Sequence, residues 1–239
     1  MESTDSKPSM FFAAGFGDNS SMFEPMRDTP LARQFALVLL DLPGFGRAPL
    51  RGTTSLQSLA DFVAEKAIAT GAKIIVAHSV ASIIASLAAA RADCPLTTIV
   101  SLEGNLTADD AYFSGTAAQF DRPESFRAAF LERLGQQENV VPELTRYRTQ
   151  VAAADPRALW ELGCDARRFS QSTHPGECLA AAAKVAYLYN PENCPKASLE
   201  WLHAHELPSL IMENATHWKS VDQPILLAEK IEASLKIAA

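Results

Sequence analysis

Short apolar segments alternate with helical patterns along most of this chain, and this alternation constrains the fold more than any other feature of the sequence. Amphipathic or alanine-rich helical patterns occur at 55–70, 80–92, 196–205 and 224–237. The apolar, often β-branched segments between them have the character of buried strands and lie at 10–13, 36–40, 73–77, 98–102, 185–189 and 209–212. Strands that alternate with helices are typical of βαβ units. We therefore predict an α/β fold with a mostly parallel sheet of about six strands, flanked by helices.

The long stretch between the fourth and fifth predicted strands differs from the rest of the chain, because it contains no convincing strand. It has several amphipathic helical patterns, which are separated by Pro123, Pro142, Pro156 and Pro175. A helical insertion of this size is best explained as a cap over the carboxyl edge of the sheet, where open α/β sheets bind their ligands. We expect a core formed by residues 1–105 and 184–239, with a helical cap at 106–183.

A serine stands where the third predicted strand passes into a helical pattern. The β-branched run at 74–76 leads through Ala77 and His78 to Ser79, and the helical pattern begins at once with Val80 and Ala81. A serine at the apex of a sharp strand-to-helix turn is the arrangement of a nucleophile elbow, in which the positions two residues to either side must be small. Alanine fills both of these positions. A buried strand that ends in a helix-capping serine would produce the same pattern without any chemistry.

Composition and charge exclude several classes of function. The net charge of −7 argues against a nucleic-acid partner or an anionic membrane surface. The first eight residues are polar, and no apolar run approaches the ~20 residues that a membrane span requires. The four cysteines are widely scattered without metal-ligand spacing, so we expect free thiols in a reducing compartment. We expect a cytoplasmic monomer or homodimer that acts on a small molecule, with no metal and no cofactor.

Four further motifs accompany the elbow in a consistent order. The sequence AGFGDNS at 14–20 follows the first predicted strand, and DLPGFG at 41–46 follows the second. His217 lies just past the last predicted strand, and the sequence DQP at 222–224 opens the final helix. With these five signals in order, the chain resembles an α/β-hydrolase over nearly its whole length. One departure is Ala14, which stands where that family usually has a histidine in its oxyanion loop.

The resemblance assigns roles to individual residues. It places the cap between the sixth and seventh strands of the family and makes Ser79 the nucleophile and His217 the general base. It also implies that the backbone N–H groups of Phe16 and Val80 form an oxyanion hole. His78 is expected to point away from the apex of the elbow.

The acid that would orient His217 is ambiguous. Most of the family carries an aspartate after the strand predicted at 185–189, but this chain has Asn193 there, and Glu192 is one residue out of register. The alternative is Glu103, at the end of the preceding strand. This placement is similar to that in the haloalkane-dehalogenase-like branch of the family. We favour Glu103 over Glu192, because a carboxylate at a buried strand end requires a partner.

Three classes of function are compatible with these residues. The first is a serine hydrolase that cleaves an ester, a lactone or an activated carbon–carbon bond of a hydrophobic small molecule through an acyl-enzyme. The second is a non-hydrolytic lyase or cyclase on the same scaffold, with His217 as acid and base; the third is a binding protein that has lost catalysis. The resemblance favours the first, a carboxylic ester hydrolase.

The predicted cap contains seven aromatic residues: Phe113, Phe120, Phe126, Phe130, Tyr147, Trp160 and Phe169. Most of them are expected in the core, and a minority are expected to line the site.

Overall fold

A single six-stranded sheet organises the molecule. The computed structural model describes residues 7–137 and 143–237, so the predicted helix break at Pro142 lies outside the described residues. The strands are β1 (Ser9–Ala13), β2 (Ala36–Leu40), β3 (Ile74–His78), β4 (Thr98–Leu102), β5 (Lys184–Tyr189) and β6 (Ser209–Ile211). They pair in parallel in the order β2-β1-β3-β4-β5-β6. The predicted fold class is confirmed.

The central strands are apolar on both faces because helices cover both sides of the sheet. From Met10 to Ala13 every residue of β1 is fully buried, as are Ile75, Val76 and Ala77 of β3. Parallel sheets need this two-sided cover, and their strands therefore appear as continuous rather than alternating hydrophobic runs.

The core helices form two groups. The helices α2 (Leu56–Thr70) and α3 (Ala81–Ala89) pack against each other. A 3₁₀ helix (Ser20–Asp28) contacts the other group, which consists of α1 (Leu31–Gln34), α9 (Lys219–Asp222) and α10 (Pro224–Ile237). Ser55 starts α2 by accepting the N–H of Ser58, and Gly71 ends it with a φ of 68°. A further core helix is α8 (Lys196–Ala204).

The segment between β4 and β5 is helical throughout its described part, and we call it the helical insertion. It starts with two 3₁₀ helices, Ala108–Tyr112 and Ser114–Gln119. Four α-helices follow: α4 (Pro123–Gln137), α5 (Glu143–Ala153), α6 (Pro156–Ser172) and α7 (Pro175–Ala182). The absence of a strand from this described part agrees with the sequence. Its separation as a cap domain with boundaries at 106 and 183 remains a prediction.

Strand order determines where a ligand can approach. β1 lies between β2 and β3 in the sheet. After β1 the chain forms β2 on one side of it, and the later strands, from β3 onward, are added on the other side. A crevice opens at such a switch point, outside the carboxyl ends of the strands. The carboxyl ends of β1 and β3 therefore mark the expected site. Across the described residues, no helix has both the length and the apolar character to cross a membrane.

Candidate active site

The turn after β3 holds Ser79 in a strained conformation. Its φ is 53°, in the left-handed region that residues other than glycine rarely adopt. The N–H of Ser79 donates to the carbonyl of Leu102 at 3.0 Å, and the carbonyl of Ser79 accepts the N–H of Ser82 at 2.9 Å. These bonds hold the turn between β4 and the start of α3. Strain of this kind persists only where the surroundings enforce it, and it concentrates at functional sites.

The loop after β1 lies directly against this turn. A Cβ atom added to Gly15 would lie 2.9 Å from the Cβ of Ser79 and 2.9 Å from Nδ1 of His78, so only glycine fits there. Ala77 and Ala81, two residues to either side of Ser79, are completely buried. The small residues identified in the sequence are therefore required by the close approach of two backbone segments.

Glu103 stands at the carboxyl end of β4 and bonds to His217. Its φ is 44°, a second strained position at the same edge of the sheet. One carboxylate oxygen, Oε2, lies 2.6 Å from Nδ1 of His217. Since a carboxylate can only accept, this contact places a proton on Nδ1 and leaves Nε2 as the ring nitrogen available to Ser79.

The other carboxylate oxygen of Glu103, Oε1, is surrounded by donors. The ammonium group of Lys219 contacts it, the N–H of Asn190 lies at 2.8 Å, and the side-chain amide of Asn193 lies at 3.1 Å. Lys219 is also 3.2 Å from the carbonyl of Thr216 and is 1% exposed, so a complete ion pair is buried here.

The pKa of Glu103 reports the balance of these contacts. Burial alone raises the pKa of this carboxyl group, but the hydrogen bond from His217 and the positive charge of Lys219 outweigh it and hold the pKa at about 2. Glu103 is thus a carboxylate at neutral pH. It can stabilise a positive charge on the imidazole.

Asn193 stands where most of the family carries its acid, and its side-chain amide donates a hydrogen bond to Glu103. Its amide nitrogen bonds both to Glu103 and, at 3.0 Å, to the carbonyl of Ala215. Glu192 is exposed and lines an outer groove instead. The structure therefore brings Glu103, and not Glu192, to His217.

His78 does not point away from the elbow, and this sequence expectation was wrong. It lines the same cavity as Ser79, and its ring centroid lies 4.4 Å from that of His217. Its Nε2 lies 3.0 Å from the carbonyl of His217. The alternation of side chains along a strand ends at His78, because the chain turns at Ser79.

Burial lowers the pKa of His78 well below its ordinary value, and the positive charge of His217 lowers it further. A neutral His78 therefore supports the backbone of His217.

The loop after β1 is attached to the helical insertion by three residues of α5. The hydroxyl of Tyr147 donates to the carbonyl of Phe16 at 2.6 Å. Arg146 forms a two-pronged ion pair with the buried Asp18, in which one nitrogen lies 3.0 Å from Oδ1. Gln150 bonds to the amide of Asn19. Because burial raises the pKa of Tyr147 well above its ordinary value, its hydroxyl remains a donor.

These contacts hold the loop that carries Phe16, whose backbone N–H is one of the two predicted oxyanion donors. The second predicted donor, the N–H of Val80, belongs to the residue that caps the N-terminus of α3. Backbone N–H groups at a helix N-terminus lack carbonyl partners within the helix. Val80 lies at the elbow, and Phe16 lines the cavity beside Ser79 from the loop after β1.

Two spaces at His217 could hold parts of a substrate. The inner one is a small cavity of about 20 Å³, and it is lined by Phe16, Asp18, His78, Ser79, Asp110, Tyr112, Phe113, Ser114, Tyr147, His217 and Trp218. The outer one is an open groove of about 490 Å³. Its lining includes Tyr112, Phe113, His217 and Trp218 together with the amides of Asn190, Asn193 and Asn214. Of the seven cap aromatics, Phe113 and Tyr147 line the inner cavity, whereas Phe126 and Phe130 are buried in the core.

Sequence analysis missed Lys219 and the Asp18–Arg146 pair. A lysine that opens a short helix gives no signal of burial, because lysine is almost always exposed unless it is paired. Arg146 lies 128 positions from Asp18, so no local pattern connects them. Among the described residues, no cluster of histidine, cysteine and acidic side chains could hold a metal ion.

Comparisons with known proteins agree with this architecture. Residues 10–230 match the model of a family described as "Alpha/beta hydrolase family". A search of curated proteins found no match to the sequence.

Three solved structures illustrate the shared fold. A thermophilic esterase from Thermogutta terrifontis superposes with a TM-score of 0.74 at 18% identity, over 98% of this chain and 91% of that one. The N-acyl homoserine lactonase AidH gives a TM-score of 0.72 at 15% identity, over 99% and 91%. The esterase EaEST from Exiguobacterium antarcticum gives 0.68 at 14% identity, over 97% and 93%. At these identities the likeness shows a common fold.

Proposed function

Because this chain belongs to the α/β-hydrolase family of enzymes, we propose that it is a serine hydrolase with a Ser79–His217–Glu103 triad. Its substrates are esters, lactones or compounds with an activated carbon–carbon bond, all of them hydrophobic small molecules. The observation that carries the proposal is the 2.6 Å contact between Glu103 and Nδ1 of His217, with Ser79 in the wall of the same cavity.

The residues divide the reaction into two half-reactions. The oxygen of Ser79 attacks the substrate carbonyl carbon while its proton passes to Nε2 of His217. The N–H groups of Phe16 and Val80 stabilise the negative charge on the carbonyl oxygen. The intermediate collapses, the leaving alkoxide takes the proton from Nε2, and the acyl group remains on Ser79. Water then repeats the sequence and releases the acid.

The charge of Glu103 matters most when the imidazole is protonated. In that state Glu103 faces a positive ring on one oxygen and the ammonium of Lys219 on the other. Both cations then hydrogen-bond to the same buried carboxylate, so each positive charge has an adjacent anion, although the three groups together carry a net charge of +1.

Aromatic walls support a hydrophobic substrate. Phe16, Phe113, Tyr147 and Trp218 surround the inner cavity and present apolar surface to a bound molecule. A panel of unsubstituted alkyl esters tests this point, and turnover that falls as the alkyl groups lengthen would contradict it.

Replacement of Ser79 tests the mechanism. We expect Ser79→Ala to lose several orders of magnitude in kcat and all labelling by a fluorophosphonate, because the nucleophile is gone. Its melting temperature should change little. The exposed Ser172→Ala serves as the matched control and should retain both activities. Near-wild-type turnover in Ser79→Ala would exclude an acyl-enzyme and favour a lyase or cyclase that uses His217 as acid and base.

A further inference from the structure

Asp110 is a half-buried carboxylate in the wall of the inner cavity with no part in the proposed triad. It lies in the 3₁₀ helix Ala108–Tyr112 and lines the inner cavity together with Ser79 and His217. It also lines a second, very small cavity of about 10 Å³ that includes Ser79, Glu103 and His217. Asp110 thus reaches the site from two sides.

The two oxygens of Asp110 have different surroundings. Oδ2 accepts the N–H of Leu106 at 2.8 Å, the N–H of Thr107 at 2.9 Å and the hydroxyl of Ser198 at 2.7 Å. Within residues 7–137 and 143–237, no donor bonds to Oδ1. Oδ2 therefore fixes the orientation of the side chain, and Oδ1 keeps its capacity to accept a hydrogen bond from a molecule in the cavity.

Among the residues that the structure describes, no cation forms an ion pair with Asp110. Glu103 is paired with Lys219 and His217, and Asp18, the other acid in the cavity wall, is paired with Arg146. Burial raises the pKa of Asp110 above its ordinary value. A substrate group that donates to this carboxylate gains a charge-assisted hydrogen bond, which is stronger than one between neutral groups.

We propose that Oδ1 of Asp110 accepts a hydrogen bond from a hydroxyl or N–H group on the acyl part of the substrate. This inference rests on the proposed hydrolase function and narrows its substrate class to hydroxyacyl or aminoacyl esters and the corresponding lactones. We place the donor on the second or third carbon of the acyl chain, close to the carbonyl that Ser79 attacks, because Asp110 and Ser79 line the same small cavity of about 20 Å³. The larger, open groove beside His217 accepts the leaving group.

Matched substrates isolate this hydrogen bond. We would measure kcat/KM for ethyl propanoate and for its 2- and 3-hydroxy and 2- and 3-methoxy derivatives. The hydroxy compounds can donate, whereas the methoxy compounds only accept. In the wild type we expect the hydroxy ester of at least one series to exceed its methoxy partner by about 10- to 100-fold, the range for a hydrogen bond to a charged group.

Asp110→Asn reverses the polarity of the free position. The amide oxygen can still accept from Leu106 and Thr107, while its NH₂ group replaces Oδ1 and donates. We expect the hydroxy-to-methoxy ratio to fall to within about threefold, whatever the change in the rate for ethyl propanoate. Dividing the wild-type hydroxy-to-methoxy ratio by the ratio for Asp110→Asn removes the effect of the bulk of the methoxy group, because this effect is present in both proteins. Asp109→Asn, at the exposed neighbouring position, should leave the ratio unchanged.

Each outcome decides the proposal. A wild-type protein that shows no hydroxy preference in either series overturns it without any variant. An equal loss for all five esters in Asp110→Asn overturns it as well and assigns Asp110 a purely structural role. Ser198→Ala should keep the preference, because it removes a donor only from Oδ2. Failure of the hydrolase proposal is distinct, since no ester would then be turned over in a manner that depends on Ser79.

Discussion

Two sides of the site are each held by a buried ion pair, but they are built differently. On one side Glu103 follows β4 and Lys219 opens α9, so both lie outside the helical insertion. On the other side the buried Asp18 follows β1, whereas its partly exposed partner Arg146 belongs to α5 of the helical insertion. The first pair contacts His217, and the second holds the loop that carries Phe16, a proposed oxyanion donor.

This difference separates two tasks. The contacts of Glu103 come from residues outside the helical insertion, so we expect the proposed proton transfer not to require the helical insertion. The Phe16 side depends on α5 through Arg146, Tyr147 and Gln150. We therefore expect the proposed stabilisation of the oxyanion to be coupled to the position of the helical insertion. Loss of the first side should affect the chemistry of His217, whereas loss of the second should weaken only one oxyanion donor.

Removal of the charge on Glu103 should have the largest effect. We expect Glu103→Gln to lose on the order of 10⁴ in kcat, because the amide preserves shape but cannot stabilise the imidazolium. Glu192→Gln is the matched control and should stay within about tenfold, which corresponds to roughly 1.4 kcal/mol. Turnover of any ester accepted by the wild type measures both. An inactive Glu192→Gln together with an active Glu103→Gln would show that Glu192, next to the ordinary family position, is the acid.

The depressed pKa of Glu103 predicts an acid dependence of stability. The folded pKa of about 2 lies below the ordinary value of 4.5, so ionised Glu103 contributes stability above pH 4.5 that is lost as the pH falls toward 2. The shift corresponds to roughly 3 kcal/mol. Glu103→Gln, which does not titrate, should lack this component. Urea unfolding of both proteins at pH 7, 5, 4 and 3 should show the wild type losing stability relative to the variant. A constant difference across this range would contradict the assignment.

Release of the loop from α5 should have the smallest effect of the three. Tyr147→Phe removes only the hydroxyl that donates to the Phe16 carbonyl. This carbonyl belongs to the peptide that follows Phe16, so the variant loosens the loop and affects the N–H of Phe16 indirectly. We expect kcat to fall by about 10- to 100-fold, less than the loss of a whole oxyanion donor, with KM nearly unchanged. Thr149→Ala on the exposed face of α5 is the control. An equal loss of kcat in both variants, or a rise in KM alone, would contradict a role of α5 in oxyanion stabilisation.

The fold and most of the candidate site follow from local sequence patterns. The strand predicted at 98–102 matches β4, and the helix predicted at 224–237 matches α10. Ser79 could be identified because a strand, a small-residue turn and a helix adjoin in the sequence. His217 and the Phe16 loop each follow a predicted strand, and the carboxyl ends of parallel strands meet at one edge. Periodicity and order along the chain thus determined where the candidate residues would meet.

Only the tertiary structure decided which partners each of these residues acquired. The sequence left Glu103 and Glu192 open, and the packing of β4 beside β5 brought Glu103 to His217 while Asn193 became its donor. Lys219 and Arg146 had no signal in the sequence. A local pattern records whether a residue prefers the interior or the surface, but a buried charge is stabilised by a partner that can be more than a hundred residues away. The strand order and the path of the helical insertion choose that partner.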